Sequence, residues 1–348
     1  MAAMVIVNTP GDWSTVYWPL LHADWHGWTP TDLIFPFFVF IVGVSIVLSR
    51  RRAGVGVIVR RAAVLYGLGL LLALYPRFDF STVRLVGVLP RLALCYLAAA
   101  LVYRAVGPRL RPSLWIAGAL ILAYWALLRF VPAPGGVAFD LTESGNLGAW
   151  LDRTILGEAH LWRQSRTWDP EGLLSTLPAI ATALTGIAAG LVLTSAETAS
   201  RKVARLAAAG AIGVALGLLW SLEFPINKNL WTSSYVPLTS GLASIALAGC
   251  YWLVDVRGSR GWIRPFVVMG TNALALFVVS GWLVKTLLLI RVTLADGTTT
   301  TLYRAVYVTV FAPLAPPKLA SLLFAMAALL VLFGLLEVLY RRRWFLRA

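Results

Sequence analysis

The chain has 348 residues, of which 59% are hydrophobic and only 13% charged, and it carries a formal net charge of +15. Soluble domains hold about 45–50% apolar and about 25% charged residues, so this composition excludes an ordinary soluble globular protein. The positive balance does not mark a nucleic-acid binder, because the basic residues lie in short stretches between apolar runs, where anionic membrane lipids are the plainer partner.

A spanning helix takes about 20 mostly apolar residues. Apolar runs occur at 1–8, 33–49, 62–76, 86–103, 113–131, 173–194, 203–222, 233–254, 265–290 and 318–340. They predict an all-α polytopic transmembrane helix bundle of about ten helices, the first truncated, folded as a single domain over 1–348. Met1–Val7 is too short to span and has no basic region before it, so it reads as the last third of a helix and not as a signal peptide. The alternating pattern of spanning strands is absent. One set of connections holds Arg50, Arg51, Arg52, Arg60 and Arg61; Arg104, Arg109 and Arg111; Arg201, Lys202 and Arg205; Arg257, Arg260 and Arg264; and Arg341, Arg342, Arg343 and Arg347. These are well over half of the 30 basic residues. They alternate with the other connections, which predicts that they and the carboxyl terminus are cytoplasmic. The outer face then carries 9–32, 77–85, 132–172, 223–232 and 291–317, with most of the Asp, Asn, Trp and His. The 132–172 connection is long and rich in titratable and aromatic residues, which reads as a functional loop. No internal repeat or heptad is present, and the threonines at 298–301 stand out locally. Cys95 and Cys250 both fall in apolar runs and read as small buried hydrophobes, not as a disulfide or thiolate metal site.

The densest polar stretch is Asn8–Gly43, which holds His22, His26, Asp12, Asp24 and Asp32 beside an apolar run. An imidazole exchanges protons near neutral pH, and a carboxylate such as Asp24 or Asp32 would fix its tautomer. The alternative for His22 is an interfacial histidine bonded only to backbone. His26, four residues on, would share a helical face with His22, but no third metal ligand is in register and no metal is expected. Asp32 also suits the N-terminal end of the following helix, favoured there by the helix dipole. Asn227, Lys228 and Asn229 form a second polar knot beside Trp231, suited to sugar hydroxyls or a carbonyl oxygen. Asp169 and Glu171 form a third. A solvated loop and helix start is the alternative for both knots. Arg84 and Arg91 flank VRLVGVLPRL, and Arg91 falls in an apolar run, where a charge faces a cavity or a partner. That partner is either an anionic ligand or an internal ion pair. No phosphate loop, GxGxxG, GxSxG or HExxH pattern occurs, which removes support for an ATP-driven pump or a serine hydrolase.

Taken together these segments resemble the heparan-α-glucosaminide N-acetyltransferase family of transmembrane acetyltransferases, in its bacterial form. The blocks are VNTPG at 7–11, HADWHGWTPTDLIFPFFVFIVG at 22–43, VRLVGVLPRL at 83–92, TWDPEGLLST at 167–176, PINKNLWTSSYV at 225–236, VDVRG at 254–258 and GTNALALFVVSG at 270–281. The resemblance implies transfer of an acetyl group from cytoplasmic acetyl-CoA to the amine of an amino sugar on the outer face of a bacterial cytoplasmic membrane. It maps the family's implicated histidine to His22, its asparagine to Asn8 and the Asp of its T-x-x-D-L-x-F-P block to Asp32. Asp169, Glu171, Asn227, Lys228, Asn229, Arg84 and Arg91 become candidates for substrate binding. Acetyl-CoA is expected as donor, with Arg50–Arg52 and Arg60–Arg61 as candidates for its phosphates, and association as a homodimer is left open. Two departures stand out. The charged D-x-x-R-G segment that opens the family's first helix is missing, and Ser280 stands where lysosomal relatives place a histidine. The competing reading of the same knots is an amino-sugar transporter, which discontinuous helices or an inverted repeat would favour.

Overall fold

In a computed structural model, residues 1–49 and 53–346 are described. Arg50–Arg52 and Arg347 lie outside them. The helices are α1 (Ala2–Asn8), α2 (Ile34–Leu48), α3 (Val55–Leu74), α4 (Val88–Val106), α5 (Leu110–Phe130), α6 (Leu147–Leu156), α7 (Thr176–Thr194), α8 (Ala199–Trp220), α9 (Tyr235–Tyr251), α10 (Arg264–Thr271) and α11 (Ala273–Leu289). A hairpin of β1 (Arg291–Thr293) and β2 (Thr299–Thr301), paired antiparallel with Val292 opposite Thr300, then leads through α12 (Leu302–Val306) to α13 (Pro317–Arg341). The threonine run supplies β2.

Among the described residues, eight helices are long and apolar enough to cross a membrane, or nine if α10 and α11 count as one bent span. The chain is an all-α, multi-pass membrane protein. Its spans differ in burial. About 67% of the most apolar stretch of α7 is buried, against 17% for α3 and for α8. In a bilayer the outer helices have lipid to face, so α7 is the central post. It packs against α2, α4, α5 and α9 around Val39, Ala183, Leu184, Ile187, Trp231 and Tyr235. The α2–α7 approach is close enough to require glycine on both sides. A Cβ on Gly43 would stand 1.9 Å from the Ala183 carbonyl, and one on Gly186 1.9 Å from that of Phe40. Small residues drive helix association in lipid in this way. This contact fixes α2, which carries Asp32 just ahead of its first turn.

Several predicted boundaries need correction. Arg60 and Arg61 lie inside α3, which starts seven residues before the predicted run, so these cations belong to a helix end and not to a loop. The predicted span at 265–290 is broken by 79° at Asn272. At the break the Asn272 side-chain amide ties the chain to the C-terminal segment, donating from Nδ2 to the Trp344 carbonyl (3.1 Å) and accepting from the Leu346 N–H (3.1 Å). The 132–172 connection contains α6, whose N-cap Asn146 accepts from the Ala149 N–H at 2.8 Å. Cys95 is buried, but Cys250 is exposed, on a turn of α9 that no protein neighbour covers.

Candidate active site

The segment 18–33 folds as two short 3-10 turns joined by an irregular loop. Its order comes from a capping box. Thr29 is the N-cap of the turn Pro30–Leu33, and Asp32 reaches back to the Thr29 backbone N–H at 3.0 Å. The same oxygen, Oδ2, also accepts from the Ala23 N–H (3.0 Å) and the Thr29 hydroxyl (3.2 Å). The Tyr235 hydroxyl donates to the Asp32 carbonyl at 2.5 Å. Asp32 is buried and pinned, and only its second oxygen remains open.

That oxygen meets His22. Nδ1 of His22 lies 2.6 Å from Asp32 Oδ1, with the imidazole about half exposed and the carboxylate 2% exposed. With Asp32 ionised, Nδ1 carries the proton and donates it, which leaves a lone pair on Nε2. A buried carboxylate that orients a histidine in this way is the base arrangement of acyl-transfer enzymes. The loop around His22 is not helical, so His26 does not share a face with it. His26 faces Asn227 instead, with Nδ1 3.4 Å from Nδ2, and burial lowers its pKa. Groups of three metal-ligating side chains are absent among the described residues.

The third member arrives from far along the chain. Residues 225–232 run beside the loop, and the Gly27 N–H donates to the Ile226 carbonyl at 2.7 Å. Asn227 then turns the chain by accepting the Leu230 N–H on Oδ1 at 2.9 Å, an Asx-type turn. Trp231 follows with φ of +50°, held by its Nε1–H to Thr182 Oγ1 at 3.1 Å. The turn presents Lys228, whose Nζ is 2.9 Å from His22 Nδ1 and 3.3 Å from Asp32 Oδ1. Burial lowers the Lys228 pKa, against the opposing pull of Asp32 and Glu171.

The remaining predicted residues divide. Arg84 donates to Asp169 through Nε (2.8 Å) and Nη2 (2.5 Å), and to Glu171 through Nη2 at 2.5 Å. Burial would lower the Arg84 pKa, but Glu171 and Asp169 outweigh it and hold it raised, while burial raises that of Asp169. Arg91 is fully buried. It donates to the carbonyls of Pro170 (3.0 Å) and Gly172 (2.8 Å) and to the Ser175 hydroxyl, and stacks 5.3 Å over Trp231. Of the two partners left open for Arg84 and Arg91, an anionic ligand or an internal ion pair, Arg84 has the ion pair, with Asp169 and Glu171, and Arg91 is held by the chain between Pro170 and Ser175, since a buried charge without a partner is costly. Asn227 is likewise buried and holds its own turn. Asn8 ends α1, exposed and outside this hydrogen-bonded cluster. Ser280 is buried and donates to the Phe277 carbonyl at 2.9 Å within α11.

Asn229 lines a narrow cleft, about 10 Å³ and so wide enough for about one water, with Trp25, Trp168, Asn146, Asp152 and Tyr124. Trp25 and Trp168 meet edge to face at 5.0 Å, Trp25 Nε1–H donates to the Leu141 carbonyl at 2.8 Å, and Trp168 Nε1 is buried without a partner. Burial pushes the Asp152 carboxyl up to about 7, although it accepts the Leu173 N–H at 2.8 Å. Trp25, Trp168 and Asp152 escaped the sequence reading. Trp25 stood in the HADWHGW block, but nothing local marks Asp152, which becomes informative only through burial. The Thr29-Pro30-Thr31-Asp32 spacing was a legible capping signal.

At the opposite end of the bundle, α2, α3 and α4 enclose a groove of about 180 Å³ lined by Ser45, Ser49, Arg61, Tyr96, Tyr103 and Arg104. Arg61 Nε is buried there without a hydrogen-bond partner among the described residues.

Residues 1–222 match a family model described as heparan-alpha-glucosaminide N-acetyltransferase, catalytic. The chain is 30% identical over 340 residues to the heparan-alpha-glucosaminide N-acetyltransferase of Mus musculus, covering 80% of this chain and 51% of that protein. It is 32% identical over 338 residues to that of Homo sapiens, covering 79% and 50%. The chain spans about half the length of the curated relatives it matches.

Proposed function

The chain belongs to the heparan-α-glucosaminide N-acetyltransferase family, and from that premise we propose that it moves an acetyl group from acetyl-CoA to the amine of an amino sugar at His22. The observation that carries this reading is the 2.6 Å contact between a half-exposed His22 and the buried Asp32. A histidine base needs an oriented, unprotonated nitrogen, and this pair supplies one on Nε2.

The residues support a division of labour. Donor phosphates suit the groove at Arg61 and Arg104, whose guanidinium groups match phosphate geometry. From Ser45 in that groove to Asp32 the helical path is 13 residues, or about 20 Å, a span for the pantetheine arm between α2 and α4. The acceptor sugar would meet the mouth of the cleft of Trp25, Trp168, Asn229 and Asp152, which offers aromatic surface and few polar groups and has to widen to admit a sugar ring. Trp168 Nε1 there is a donor still lacking an acceptor. In the reaction, the amine nitrogen bonds to the acyl carbon and the carbon–sulfur bond breaks. The amine proton passes to His22 Nε2 and then to the departing thiolate. On this reading the groove faces the cytoplasm, His22 faces the outer side of a bacterial cytoplasmic membrane, and 1–348 acts as one domain.

The test is purified protein in lipid nanodiscs with acetyl-CoA and glucosamine, following free CoA thiol and the N-acetyl product. Product should appear, and His22→Ala should abolish it with the fold intact. Wild-type turnover by His22→Ala would sink the mechanism. A transporter reading has one observation in its favour, the span broken at Asn272. Uptake of an amino sugar into proteoliposomes without acetyl-CoA would select it.

A further inference from the structure

Three atoms close a triangle at the mouth of the bundle. His22 Nδ1 is 2.6 Å from Asp32 Oδ1 and 2.9 Å from Lys228 Nζ, and Lys228 Nζ is 3.3 Å from Asp32 Oδ1. A ring nitrogen carries either a proton or a lone pair. With Nδ1–H donating to Asp32, Nδ1 keeps no lone pair to accept a hydrogen bond from Lys228. An ammonium has three N–H donors, and Asp32 Oδ1 takes one. The other Lys228 contact among the described residues is His22 Nε2 at 3.5 Å, too long for a good bond. A nearly buried cation is left with unspent donors beside the nitrogen where the reaction would occur.

We infer that Lys228 is a catalytic residue of the acyl transfer, donating a hydrogen bond to the acyl oxygen as that oxygen becomes negative. The inference rests on the acyl-transfer reading above. Among the nearby amides, the Asn227 donor Nδ2 lies against His26 Nδ1 at 3.4 Å, and Asn8 is exposed at the end of α1. As the amine attacks, the carbonyl π pair moves onto oxygen and Lys228 holds that charge. When the carbon–sulfur bond breaks, the pair returns and Lys228 keeps its proton throughout. Lys228 must therefore be charged to act. The groups facing it are Asp32, His22 and Glu171, with His26 across Asn227. Its deprotonation then sets the alkaline limit of activity.

The experiment measures kcat and KM for acetyl-CoA and glucosamine with the full chain in nanodiscs, between about pH 6 and 10. Lys228→Gln should lose roughly a hundred- to a thousand-fold in kcat, the cost of removing one oxyanion donor, with both KM values little changed. Lys228→Arg keeps a charge that does not titrate in this range, so it should recover part of kcat and lose the alkaline limit. Wild-type kcat in Lys228→Gln, or a loss confined to KM, overturns the inference. So does an alkaline limit in Lys228→Arg that coincides with that of the wild type, and this arm alone decides if Lys228→Gln fails to fold. Folded wild-type protein inert toward acetyl-CoA brings down the acyl-transfer reading and this inference together. Active wild type with indifferent Lys228 variants removes only the inference.

Discussion

Two polar clusters sit at the same end of the bundle and differ in how many of their hydrogen-bonding atoms are already engaged. Around Arg84 and Arg91, the engaged donors meet Asp169, Glu171, Ser175 or a carbonyl between Asp169 and Ser175, and Arg91 Nε is sealed from solvent with no partner among the described residues. Around His22, the anchor Asp32 is saturated, while the His22 ring is half exposed and Lys228 holds donors in reserve. Both clusters are expensive to place at a membrane boundary. The closed one offsets its cost internally and acts as a strut. The open one leaves accessible polar atoms for something that is not protein. Accessibility of the free polar atoms, more than the presence of charged residues, separates scaffold from site.

The sharpest way to break this comparison is at His22. His22→Ala should remove acetyl transfer by about a thousand-fold or more while thermal stability in detergent stays near wild type. Asp32→Asn, which spoils the tautomer, should approach the same loss. Retained transfer in either variant would make the open cluster decorative.

The strut should respond in the opposite way. Removing one member of a buried pair leaves an uncompensated charge and costs about 3–5 kcal/mol. Arg84→Met should therefore sharply lower folded yield and melting temperature, and any folded fraction should keep its KM for both substrates. A stable Arg84→Met protein with weakened donor or acceptor binding would show that the cluster serves a ligand after all.

Asp152 tests the boundary between the two. Burial holds its carboxyl at about 7, well above the ordinary carboxylate value near 4. The native state therefore binds the proton more tightly than the unfolded chain. Stability should fall as pH rises from about 4 through about 7, by up to about 4 kcal/mol. Asp152→Asn should flatten that slope in melting curves taken across the window, and an unchanged slope would assign it to another group. The smallest effect belongs to Asn229. Asn229→Ala should raise the glucosamine KM about five-fold, the size of one hydrogen bond, and leave kcat alone. Unchanged acceptor KM would move the sugar out of the tryptophan cleft.

Much of this is legible in the linear chain. The spans appear as apolar runs because crossing a bilayer demands a length of hydrocarbon that no packing arrangement can waive. The Thr29–Asp32 cap is local in sequence and follows from the same backbone rules in any helix start. The block order singled out His22 over His26, and the structure gives the two rings different partners, Asp32 for one and Asn227 for the other. The break at Asn272 escaped notice because the flanking residues are as apolar as any span, and the bonds that hold the Asn272 side chain come from the distant C-terminal segment at Trp344–Leu346.

By itself the sequence determined a multi-pass helical protein, the residues that gather at each helix end, and a histidine, His22, with Asp24 and Asp32 both within reach along the chain. These are consequences of hydrophobic length and of short-range backbone hydrogen bonding. Only the tertiary structure decided that Lys228, 206 residues from His22, completes that cluster, and that Arg84 spends its charge on Asp169 and Glu171. The reason is physical. Whether a buried polar atom is free or engaged depends on which loops the packing of α2 against α7 and α9 brings together, and no stretch of chain carries that information alone.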